Sequence, residues 1–226
     1  MKHLILFDID GTLVNAGGAG QQAMEAALAE LFQATRPVEG ISTAGRTDRA
    51  ITEDLFRYYE ITHDAANVER FLEAYLAHLP AYLSDGDGLV LPGVLELLES
   101  LAVRSDVVVS LLTGNYRRGA ELKLDHFGLR RHFVAGGFGD VHHDRDDVAR
   151  VALQSIEKHI GEEIGTHRIW VIGDTPSDVK CGRAIGAEVI AVATGLFSVE
   201  QLRVTEPDHL FASFADVPAV LRLFGS

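Results

Sequence analysis

Two aspartates set two residues apart, Asp8 and Asp10, close the apolar run Leu4-Ile5-Leu6-Phe7 and lead straight into Gly11-Thr12. Carboxylates this close repel, and each tends to take up a proton unless a cation sits nearby. A third, Asp174, follows the run Ile169-Trp170-Val171-Ile172 in the segment Gly173-Asp-Thr-Pro-Ser-Asp178. An oxygen-rich set of this kind suits Mg²⁺, which keeps several waters and takes few protein carboxylates plus a phosphate oxygen. The bland alternative for Asp8-x-Asp10 is an Asx-turn or helix cap, and for Asp178 a cap on the next helix. It weakens once the distant carboxylates are counted together, and a capping Asp178 can also orient the metal or its waters. After the run Val107 to Leu112 come Thr113, Gly114 and Asn115, where a helix would begin and its backbone N–H groups would attract an anion.

These groups need elements that bring them to one edge. Leu4–Phe7, Val107–Leu112, Ile169–Ile172 and Val189–Val192 are short apolar runs suited to strands buried on both faces. Between them lie helical patterns. Val94, Leu95, Leu98 and Leu101 share a face; residues 117–127 stop at Gly128; in residues 147–159, Val148, Val151, Ala152 and Ile156 share a side. Alternation of strand and helix predicts a doubly wound, Rossmann-like α/β parallel sheet, with ligands beyond the carboxyl ends of the strands.

Residues 19 to about 84 offer helical periodicity and no convincing strand. Met24, Ala27, Leu28 and Leu31 recur at helical spacing, as do Ile51, Leu55 and Tyr58, then Phe71, Leu72, Tyr75, Leu76 and Leu79. The expectation is an all-helical domain, 16–87, inserted into a core of 1–15 and 88–226. The flanks Asn15-Ala-Gly-Gly-Ala-Gly20 and Ser84-Asp-Gly-Asp-Gly88 read as hinges. The first lacks the Lys-Ser/Thr of a phosphate-binding P-loop.

The net charge of -13 opposes nucleic-acid and anionic-membrane partners, so an anionic substrate needs local cationic help. One cysteine, Cys181, allows neither a disulfide framework nor a thiolate cluster, and a reducing cytoplasm is the expected location. No apolar stretch is long enough to cross a bilayer, and no signal-peptide pattern opens the chain. Adjacent His142 and His143 lack a further partner at zinc-ligand spacing and read as solvated loop residues.

Asp8-Ile-Asp10-Gly-Thr12, Thr113 after the second strand and Gly173-Asp174-Thr-Pro-Ser-Asp178 resemble motifs I, II and IV of the haloacid dehalogenase superfamily. The segment from Gly173 to Gly195 is especially similar to its phosphoglycolate phosphatase-like phosphatases. The helical insert stands in the place of that family's type 1 cap. The resemblance implies Asp8 as nucleophile, forming an aspartyl-phosphate, and Asp10 as general acid and then base. It implies Mg²⁺ held by the side chains of Asp8 and Asp174 and the backbone carbonyl of Asp10, with Asp178 supporting them. Thr113 and the amides of Gly114 and Asn115 would hold phosphate oxygens.

The sequence departs from the family at motif III, where a lysine is expected. Arg145 is the candidate replacement, always charged and able to bind phosphate through two N–H groups. Lys123 ranks second, because ten residues of helix would carry it roughly 15 Å from Thr113. Arg46, in the polar stretch Thr43–Ala50 of the insert, is a candidate specificity residue.

The expected function is a Mg²⁺-dependent phosphatase of small phosphomonoesters, phosphoglycolate-like or sugar phosphates, in a monomer or homodimer. A phosphosugar mutase of the same superfamily and a non-catalytic phospho-ligand-binding domain are the alternatives. A 2-haloacid dehalogenase is disfavoured by Asp10 and Asp174.

Overall fold

The computed structural model describes residues 2–161 and 163–225. The run His3–Phe7 forms strand β1, buried at every position. The chain turns at Gly11, whose φ of +80° is open to glycine, and continues as a short strand β2 (Val14–Asn15). Three helices follow: α1 (Ala19–Phe32), α2 (Asp48–Tyr58) and α3 (Ala65–Asp85). Strand β3 (Leu89–Val90) then pairs antiparallel with β2, so the chain leaves and re-enters the core at one place.

From there the alternation is regular. Helix α4 (Val94–Ala102), β4 (Val107–Leu112), α5 (Arg117–His126), β5 (Gly136–Gly137) and α6 (Arg145–Ile160) come first. Strand β6 (Arg168–Gly173), α7 (Pro176–Ala184), β7 (Glu188–Val192), α8 (Val199–Arg203), β8 (His209–Phe211) and α9 (Val217–Leu221) complete the chain. The six strands order as β5-β4-β1-β6-β7-β8. All pair in parallel, as expected of runs buried on both faces.

Alternate residues of β1 feed two cores. Ile5 and Phe7 pack with Leu97, Leu98, Trp170 and Phe214, while Leu4 and Leu6 pack with Val148, Ala152, Ile156 and Cys181. The inserted helices bury their own cluster, including Met24, Leu28, Leu55, Phe56, Phe71 and Leu79.

Several expectations shift by a residue or two. Leu95 is 43% exposed and Leu97 takes its place on the buried face of α4; likewise Val151 of α6 is 42% exposed and Ala149 is buried. Leu31, Tyr58 and Leu72 are only half-buried. Strand β5 has no side chains to signal it, since a Cβ on Gly137 would sit 2.6 Å from that of Ala152 on the helix packed over it. Strand β8 is three half-buried residues long. Helix α6 begins at Arg145 rather than Asp147, because the Asp144 carboxylate accepts the amide N–H of Asp146 and caps it there.

Candidate active site

The sheet register explains why motifs far apart in sequence meet. Phe7 of β1 lies between Leu111 of β4 and Ile172 of β6, so the three chains end side by side. Oxygens of Asp8, Asp174 and Asp178 lie within 4.8 Å of one another, and all three residues are buried. Among the described residues, Asp8 Oδ1 has no hydrogen-bond partner. Burial pushes the Asp8 carboxyl up to about 7; Arg145 opposes the rise, and Asp178 and Asp10 add to it. Burial, then Asp178 and Asp8, pushes Asp174 up to about 9. Glycines admit this carboxylate: a Cβ on Gly195 would sit 1.8 Å from Asp174 Oδ2, and one on Gly11 2.3 Å from it.

Crowded hard-oxygen donors, one of them orphaned, fit a divalent cation such as Mg²⁺. Asp178 stands behind them with both oxygens engaged. Its Oδ1 accepts from Arg145 Nη2 at 2.7 Å, and its Oδ2 accepts from the Thr175 amide and hydroxyl at 3.0 and 2.7 Å, closing a capping box on α7. The Asp10 carboxylate does not join the cluster.

With both pKa values raised, these two carboxyls bind more protons in the metal-free folded protein than in the unfolded chain between about pH 4 and pH 9. The stability they contribute is therefore expected to fall as pH rises across that window. Mg²⁺ is expected to raise the melting temperature clearly at pH 8 and little at pH 5, where protons occupy the same oxygens. Equal shifts at the two pH values, or none, would refute a cation site built on these carboxylates.

The Asp10 carboxylate has partners of its own. Lys123 Nζ lies 2.6 Å from Asp10 Oδ2 and 2.6 Å from Asn115 Oδ1. The Asn115 amide donates to Asp10 Oδ2 and to Thr113 Oγ, each at 2.8 Å. The expected remoteness of Lys123 is thus corrected: α5 begins only at Arg117, and a helical side chain leans back toward its N-terminus. The same late start means that Thr113-Gly114-Asn115 is a turn ahead of the helix and not its first turn; Tyr116 occupies the N-cap. Arg145 is buried beside Asp8, its Nη2 lying 3.7 Å from Asp8 Oδ1 and donating to Leu112 O at 3.0 Å. The two cations that competed for one role serve different carboxylates.

These groups open into a cavity of about 370 Å³, walled on the helical side by Gln21, Met24, Asp48, Ile51 and Tyr75. Arg46 borders it, but its guanidinium pairs with Asp54 at 2.7 Å and reaches the carbonyls of Ser42 and Ala50. Its backbone makes the close approach: a Cβ on Gly114 would lie 2.0 Å from Arg46 O, and Asp48 N donates to Gly114 O at 2.7 Å. His143 pairs with Glu53 at 2.7 Å on the surface. Cys181 is packed in the core, its thiol pushed up to about 12 by burial.

The model of the haloacid dehalogenase-like hydrolases matches residues 5–183. The chain belongs to this family. It is 26% identical over 222 residues to a phosphoglycolate phosphatase of Agrobacterium fabrum, covering 98% of this chain and 93% of the relative. It is 27% identical over 225 residues to a 5′-nucleotidase of Pseudomonas aeruginosa, covering 96% and 94%. The crystal structure of a hydrolase from Pseudomonas syringae superposes with a TM-score of 0.70 at 22% identity, covering the whole of both chains. Among the described residues of this haloacid dehalogenase-like hydrolase, no helix is long and apolar enough to cross a membrane.

Sequence reasoning passed over one carboxylate of the hydrolase altogether. It is Asp48, at the start of α2. In the structure it is buried, its Oδ2 accepting the Tyr116 amide N–H at 2.7 Å. Burial pushes it up to about 6, eased by Lys123 and by that amide. An Asp directly after a capping Thr, in a stretch already expected to face substrate, was the available signal.

Proposed function

We propose that the protein is a Mg²⁺-dependent phosphatase of small phosphomonoesters that works through a phosphorylated Asp8. The observation that carries this is Asp8 itself: a buried carboxylate with an orphaned oxygen, flanked by Asp174 and Arg145, in a cavity that Asp10 also lines. An Asp8 oxygen attacks phosphorus and the ester P–O bond breaks. Asp10 gives its proton to the departing alkoxide, then takes one from the water that attacks the aspartyl-phosphate, releasing inorganic phosphate and restoring both carboxyls. Asn115 and Lys123 aim Asp10 at the leaving oxygen. Arg145, Thr113 and the Gly114 amide hold the phosphoryl oxygens.

Asp8 and Asp174, with the Asp10 carbonyl, would hold Mg²⁺, which when bound offsets the charge that keeps an anionic nucleophile from an anionic ester. The inserted helices, entering and leaving through β2 and β3, would close over the substrate and exclude water. Relatives named for two different substrates support the reaction class and leave the ester open.

The test is release of inorganic phosphate from p-nitrophenyl phosphate and a panel of phosphomonoesters, with Mg²⁺ and after its chelation. Mg²⁺-dependent release is expected. Isomerisation of a sugar phosphate without release would replace the reading by a mutase, and no turnover of any ester by Mg²⁺-bound protein would leave only a binding domain.

A further inference from the structure

We propose that the alcohol leaving this site is uncharged and hydroxyl-bearing, that Asp48 and Tyr75 recognise its hydroxyls, and that esters with a second negative charge there are rejected. The inference rests on the phosphatase reading above.

The leaving oxygen must lie against Asp10, the proton donor, so the groups next to Asp10 on the helical side meet the rest of the leaving group. Those are Asp48 and Tyr75, both in the cavity wall and 9% and 1% exposed. Asp10 acts electrostatically on both. Tyr75 packs its ring with the apolar cluster of the insert, and among the described residues its hydroxyl has no hydrogen-bond partner. Tyr75 borders the cavity, where a ligand hydroxyl would pair with its oxygen. Gly119 makes room for that oxygen, since a Cβ there would lie 2.9 Å from it. Asp48 uses Oδ2 for the Tyr116 amide, and its Oδ1 has no partner among the described residues. That oxygen accepts from a hydroxyl and repels a carboxylate.

The cations around the cavity agree. Arg46, Lys123 and Arg145 line it, and each is already closed on a carboxylate: Asp54 at 2.7 Å, Asp10 at 2.6 Å and Asp178 at 2.7 Å. Arg145 keeps an unpartnered Nε, but in the reading above it is given to the phosphoryl oxygens, so none of the three is left for a second anion. Met24 and Ile51 offer apolar contact to a short carbon skeleton, and a cavity of about 370 Å³ is at the small end for a ligand site.

A matched pair of esters decides the question. 2-Hydroxyethyl phosphate and 2-phosphoglycolate share a skeleton and differ in a hydroxymethyl against a carboxylate; p-nitrophenyl phosphate reports turnover itself. The expected result is a kcat/KM for the hydroxyethyl ester at least about tenfold higher. Asp48→Asn, which keeps the acceptor for Tyr116, is expected to shrink that ratio by about tenfold, and Tyr75→Phe to raise KM for the hydroxyethyl ester. Phosphoglycolate turned over as well or better, with p-nitrophenyl phosphate also hydrolysed, overturns the inference and leaves the phosphatase reading standing. Preference for phosphoethanolamine over the hydroxyethyl ester overturns the uncharged alcohol, and an unchanged ratio in Asp48→Asn overturns the role of Asp48. If none of the esters is hydrolysed, both readings fall. The wild-type ratio needs no variant to fold.

Discussion

Asp8→Asn is expected to lower phosphate release by about four orders of magnitude or more, while the metal-free protein becomes more stable. An amide has the shape of the carboxylate without its nucleophilic oxygen, and losses of this size follow removal of a covalent nucleophile. The gain in stability comes from the same crowding that makes the site. Asp8 is held against burial and against Asp178 and Asp10, so removing its charge relieves the cluster. An initial-rate assay and a melting curve in chelator, on the same preparation, measure the two effects. Activity within tenfold of wild type would exclude Asp8 as nucleophile, and a lower melting temperature would exclude the repulsion.

Arg145→Met is expected to act in the opposite sense on stability. The guanidinium is buried 2.7 Å from Asp178 and 3.7 Å from Asp8, so its loss leaves buried carboxylates without their protein cation. Breaking a buried pair from one side costs about 3–5 kcal/mol. In a chain of this size that lowers the melting temperature by about 10 °C, and Mg²⁺ is expected to recover part of it. Phosphate release should fall with it, and Arg145→Lys should retain more of both because it keeps the charge. A melting temperature for Arg145→Met equal to wild type would remove Arg145 from the charge balance.

Much of the architecture was legible because its physics is local. A strand buried on both faces must be an unbroken apolar run, and the polar residues ending Leu4–Phe7, Val107–Leu112 and Ile169–Ile172 therefore announced one sheet edge. What escaped depended on three-dimensional reach. Lys123 was placed by counting along a helix from Thr113, although the helix starts at Arg117 and the side chain runs backward. Arg46 borders the cavity, but its reach could not be read from the loop: its backbone approaches Gly114 while Asp54 holds its guanidinium. Tyr75 was rightly assigned to an apolar face, but a period in sequence says nothing about where the hydroxyl at the end of the ring emerges. Asp48 was passed over, because a first-turn aspartate is ordinarily solvated.

The small β2–β3 ribbon has a consequence for how the chain acquires its structure. The central pairing of His3 with Val107 joins residues separated by the whole helical insert, a long loop to close before any sheet contact rewards it. Once Val14 meets Val90, the insert becomes a closed side loop that collapses on its own apolar cluster. The path from β1 to β4 then shortens to a hairpin-like link and α4. Four residues at the root of the insert thereby lower the effective contact order of the parallel sheet, and weakening them should slow folding and leave the unfolding rate nearly unchanged.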